Sequence, residues 1–82
     1  MANVASNVYE SGGMHVYTFV DTSTGTTSAC QLPAGKRCFG PTVNFVSATG
    51  RAWTCTYVQS TGVLTIAGLT AADSILVAAQ TD

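Results

Sequence analysis

Apolar and polar residues alternate over short stretches of this chain, and turn-forming residues interrupt them often. The breaks fall at Gly12-Gly13, Asp21 to Gly25, Pro33 to Pro41, Ala48 to Gly50, Ser60 to Gly62 and Gly68 to Asp73. Between them lie runs of Val, Thr, Tyr, Phe, Trp and Ile, side chains that suit a pleated surface. The spacing predicts strands at Val4–Tyr9, His15–Asp21, Thr26–Leu32, Thr42–Ser47, Ala52–Gln59, Val63–Ala67 and Ser74–Ala79. Short strands separated by regular turns build sandwiches and barrels. The expected fold is all-β: a compact antiparallel sandwich or barrel of about seven short strands. "GLTAADSILVAAQ" has the one helix-like composition, but its apolar residues are contiguous. It reads as a strand preceded by a turn, or one helical turn, at Thr70–Asp73.

Three stretches end an apolar run alike: "FVDTSTG" at 19–25, "FVSATG" at 45–50 and "YVQSTG" at 57–62. An aromatic followed by Val puts apolar surface on both faces of a strand. The glycine then supplies a turn conformation with positive φ. "FVSATG" and "YVQSTG" therefore predict hairpins joining Thr42–Ser47, Ala52–Gln59 and Val63–Ala67 into a three-stranded meander.

Alternation also sorts the faces. Trp53, Cys55 and Tyr57 share one side of their strand, with Cys55 expected in the core. His15, Tyr17 and Phe19 share one side of theirs, opposite Val16, Thr18 and Val20. Ser74–Ala79 is apolar on both sides, Ile75 and Val77 against Leu76 and Ala78. A sheet with one wetted face shows cleaner alternation. Faces lined by Thr, Ala and Val suit contact with another subunit.

Composition sharpens that expectation. Only 9% of the residues are charged, with a net charge of −1, where an ordinary soluble domain carries about 25%. Seven Ser and thirteen Thr occupy the difference. A chain of 82 residues is a single β domain, 1–82, with 1–11 as an N-terminal arm or swapped strand and 33–41 as a long loop. Size scaling gives it a folded surface of about 4,600 Å². "MANVASNVYESGG" lacks the basic start and apolar run of a secretory signal, and no stretch approaches a membrane span. The chain reads as a product of a cytosol, which agrees with three cysteines, a poor number for a disulfide framework.

Candidate chemistry is sparse. His15 is the sole imidazole, and Glu10 or Asp21 could orient it across a hairpin. A strand histidine without catalytic duty is the expected state, and the chain is read as no enzyme. Cys30, Cys38 and Cys55 lack the close spacing of structural zinc sites, so no metal or other cofactor is expected. Cys30 and Cys38 flank the long loop and could pair under oxidising conditions; otherwise all three thiols stay free. "PAGKRCFGP" is no phosphate-binding loop, and three cations are too few for nucleic acid. Lys36 and Arg37 in that loop either sit in water or engage acids on a neighbouring protein. A lone Trp53 is read as a core residue.

The short Met-Ala-Asn start, "FVDTSTGTT" and the ending "STGVLTIAGLTAADSILVAAQ", in a low-charge Ser/Thr-rich chain, resemble the small β-rich virion proteins of tailed bacteriophages, especially head decoration or cement proteins. The resemblance implies a non-enzymatic virion structural protein made in the host cytoplasm. It would bind the major capsid protein or another virion protein at the capsid surface and stabilise the assembled head, often as a trimer or dimer. A carbohydrate- or receptor-binding module of a fibre or other appendage is the alternative. The contact residues expected are Lys36, Arg37 and Phe39 in the loop, and Val4, Val8 and Tyr9 in the N-terminal segment.

Overall fold

The protein is described by a computed structural model, over residues 2–46 and 52–82. Seven strands form: β1 (Asn7–Ser11), β2 (Met14–Thr22), β3 (Thr27–Gln31), β4 (Cys38–Phe45), β5 (Thr54–Val58), β6 (Val63–Ala67) and β7 (Ser74–Thr81). No helix occurs among the described residues. The strands make two sheets in a sandwich, β1-β2-β7-β4 and β3-β6-β5, with every neighbouring pair antiparallel. The exposed surface is 4601 Å², close to the area expected of a compact chain of this mass.

The core lies between the sheets. Phe19 of β2 and Ile75, Val77 and Ala79 of β7 face Cys30 of β3 and Leu64 and Ile66 of β6, with Leu32 and Leu69 closing the ends. Period-two alternation explains the choice: in β7 the residues run buried and uncovered by turns along the strand. Phe19 pairs directly with Val77 and Cys30 with Leu64, so each core pair is a cross-strand neighbour.

Five of the seven strands lie close to their predicted positions; β1 starts three residues later than expected, after Asn3 has made a separate bridge to Cys30 of β3. β4 starts four residues earlier than expected, so that 38–41, predicted as part of the 33–41 loop, is strand paired with the end of β7. The predicted meander is overturned in one place. β5 and β6 form the hairpin expected of "YVQSTG", but β4 leaves them and pairs with β7 in the other sheet. That pairing sets Val43 against Val77 and Phe45 against Ile75, so β4 adds its apolar positions to the most apolar strand of the chain. The turn predicted at "FVSATG" falls largely on residues 47–50, outside the described residues.

Two turns show why their residues are needed. Gly62 has φ +75, and a Cβ there would fall 2.2 Å from the Leu32 carbonyl oxygen. The close approach serves a hydrogen bond, Leu32 N–H to the Gly62 carbonyl at 2.7 Å. At 70–73 the predicted turn forms: the Thr70 N–H donates to the Asp73 carboxylate at 2.9 Å, and Ser23 Oγ donates to the Thr70 carbonyl at 2.7 Å. Asp73 is thereby buried as a turn-holding group.

Candidate interaction face

The four-stranded sheet has a second face, turned away from the core. Register places its residues in transverse rows. Tyr9, Val16, Gln80 and Phe39 make one row across β1, β2, β7 and β4. Asn7, Thr18, Ala78 and Thr42 make the next, followed by Val20, Leu76 and Asn44. Val20 is 64% exposed and Leu76 43%. The second and third rows, through Asn7, Thr18, Ala78, Val20, Leu76 and Asn44, line a depression of about 340 Å³.

None of these rows contains a charged side chain. Glu10 and Asp21 alternate to the opposite side of their strands, where Glu10 pairs with His15 and Asp21 with Ile75. The nearest charges lie at one corner. There Arg37 donates from its backbone N–H and its Nε to the Asp82 carboxylate, each at 3.0 Å, and its guanidinium lies 5.1 Å from the Phe39 ring centre. Arg37 holds the Asp82 carboxyl below its usual value through those two hydrogen bonds. Arg37 and Asp82 thus neutralise each other.

The residues expected to bind a partner divide into two groups. Val8 and Tyr9 are exposed on β1 and Val4 in the segment before it, whereas Phe39 lies in β4 and Lys36 and Arg37 in the loop leading into it. The outer row joins Tyr9 to Phe39 across the whole sheet. Lys36 is exposed in the loop, with no ion-pair partner among the described residues. Arg37 is already engaged within its own chain. The middle of the face, Val20, Leu76 and Ala78, had a visible signal in the two-sided apolar pattern of Ser74–Ala79, yet was not singled out as a contact site.

The chemical candidates separate. His15 Nε2 lies 3.6 Å from Glu10 Oε2, both exposed, the arrangement considered across the hairpin. On the inner side the same row continues through Thr81 to Cys38. Burial raises the Cys38 thiol, with the nearby Cys55 adding to the effect, which disfavours the thiolate needed for attack. All three cysteines are free thiols, so Cys30 and Cys38 are not paired. Cys30 is fully enclosed, and burial with the Asp21 charge pushes its pKa up to about 11. Cys55, expected in the core, is exposed instead. Its side chain points inward with Ile66, its partner in register, but β5 is the sheet's edge and leaves that position uncovered. Trp53 and Tyr57 on the same strand side are half-buried against the core, and the Tyr57 hydroxyl donates to the Lys36 carbonyl. No group of three or more His, Cys, Asp or Glu side chains suited to a metal occurs among the described residues.

Comparison with protein-family models, curated proteins and solved structures finds no match to this chain.

Proposed function

We propose that this protein is a non-enzymatic virion structural component, a decoration or cement protein that attaches to the capsid surface through the outer face of its four-stranded sheet. The observation that carries this reading is the complete lack of charge on the rows of that face, with Val20 and Leu76 standing out from it. A charged surface opposes close association by the cost of desolvating each ion; a face of Thr, Ala, Val and Leu carries little such cost. Resemblance of the chain's composition and termini to phage head proteins supplies the partner, the major capsid protein or another virion protein.

Size adds a quantitative reason for a lattice. Four strands at ~4.8 Å spacing and three rows at ~6.8 Å make a face of roughly 400 Å². A stable one-to-one interface needs about 800 Å² from each partner. A contact of this size becomes firm when several copies are held together on a repeating surface, because avidity rises without new contacts. The half-buried state of Trp53 weighs against a stacking platform for sugars.

Cosedimentation with undecorated capsids tests the proposal. The chain is expected to pellet with capsids, and Leu76→Lys or Val20→Lys to stay in the supernatant while keeping the native circular-dichroism spectrum. A folded chain that ignores capsids, or one whose binding survives both lysines, removes the reading.

A further inference from the structure

A two-sheet sandwich has four strand edges, and three of them here carry a contact or an irregularity that limits pairing, along the strand at β3 and locally at β4 and β5. The β3 edge is covered by the N-terminal segment: the Asn3 N–H donates to the Ala29 carbonyl at 2.8 Å and the Gln31 N–H to the Asn3 carbonyl at 2.9 Å. The β4 edge is broken by a register shift between Phe39 and Thr42, which spans Gly40 and Pro41, and a proline supplies no N–H to an incoming strand. The β5 edge is met by the 33–37 loop only just past its end, where the Gly35 N–H donates to the Gln59 carbonyl at 2.7 Å.

β1 has none of these devices. All five of its residues are exposed, on both faces, and among the described strands it pairs only with β2. Val8 is 53% and Tyr9 55% exposed. Native proteins seldom leave an apolar edge strand bare, because its unpaired backbone groups template another strand.

The hairpin geometry tells which groups point outward. Ser11 pairs with Met14 across a two-residue turn, Gly12-Gly13, with φ of +59 and +82. Such turns close on a hydrogen-bonded pair. Alternation then directs the Tyr9 and Asn7 backbones toward β2 and those of Val8 and Glu10 outward.

We infer that β1 is a self-association site: a second copy of this chain adds its own β1 antiparallel to this one, about a twofold axis through Tyr9. In that register the five residues overlap completely. Val8 and Glu10 of each copy exchange backbone hydrogen bonds with Glu10 and Val8 of the other, and the two Tyr9 rings meet on the axis, on the charge-free face. An axis at Glu10 would instead oppose two carboxylates, which disfavours it. The product is one eight-stranded sheet whose two ends are both β4 with its Pro41 irregularity, so growth stops at two copies. The inference stands apart from the virion reading, since the edge pairs whatever the outer face meets.

Sedimentation equilibrium of the full chain in reductant, up to about 1 mM to capture weak pairing, is the test. The wild type is expected to dimerise. Tyr9→Lys, which brings two ammonium groups together on the axis, and Val8→Pro, which deletes an outward N–H, are expected to sediment as monomers with native circular-dichroism spectra. In a Cys55→Ser background under mild oxidation, Tyr9→Cys is expected to cross-link into a covalent dimer, whereas Val8→Cys, facing Glu10 rather than itself, stays uncross-linked. A wild type that is monomeric throughout, or a dimer indifferent to both β1 substitutions, overturns the inference, and cross-linking at Val8→Cys in place of Tyr9→Cys overturns the register.

Discussion

On its inner side, β7 presents Ile75, Val77 and Ala79, each no more than 1% exposed; on its outer side Leu76 is 43% exposed beside Ala78 and Gln80. The two sides differ little in chemistry. They differ in what covers them, because the second sheet closes over one and none of the described residues closes over the other. Apolar character therefore does two jobs in the same strand. Inside, it drives folding; outside, it keeps a surface cheap to desolvate.

The largest expected effects lie inside. Phe19→Ala, at a position with no exposure, is expected to cost about 3–5 kcal/mol, against within about 0.5 kcal/mol for Val20→Ala one residue along. Urea denaturation of the two variants measures the contrast, and equal losses would break the comparison. The inner face also responds to alkali. The Cys30 thiol titrates near 11 when folded and 9.0 otherwise, so its contribution is fully present below pH 9.0 and lost as pH rises through 11. The loss is about 3 kcal/mol at ~1.36 per unit. It is expected to disappear in Cys30→Ala when unfolding free energy is followed against pH. In the same protein, a thiol reagent is expected to label exposed Cys55 at once, Cys38 more slowly, and Cys30 only as the chain unfolds.

Effects on the outer face are smaller in stability and larger in association. Leu76→Lys is expected to change stability by less than about 1 kcal/mol while abolishing the capsid attachment proposed for this face. A large loss of stability would mean that the outer side of β7 is a core face after all. The smallest effect belongs to the corner pair. Asp82 is held below its ordinary value by the Arg37 hydrogen bonds, so what it contributes is present above pH 3.8 and lost as pH falls through the lowered value. Asp82→Asn is expected to lower Tm slightly at neutral pH and to match the wild type in strong acid. Both groups are exposed, which keeps the difference small.

Much of the fold was legible locally. Turn residues at Gly12-Gly13, Gly62 and 70–73 sit where the turns form, and the alternation in 15–21 and 74–79 groups Phe19 with Tyr17 and Ile75 with Val77, although alternation by itself does not say which side of a strand faces the core. Cys55 was misjudged because alternation reports the direction of a side chain and not whether anything lies above it. The same limit hid the outer face: Leu76 and Val20 carried the signal, but only register with Asn44, Thr18 and Ala78 shows them as neighbours.

Local residues alone determine that this chain is β, where most of its strands break, and which residues of a strand share a side, because those depend on Cβ direction and turn chemistry within a few positions. Tertiary structure alone decides that β4 joins β7 rather than β5, that the N-terminal segment shields β3 and leaves β1 bare, and that four strands align one uncharged face. Pairing between distant segments is chosen by how well whole faces bury together, and no short stretch of sequence contains that sum.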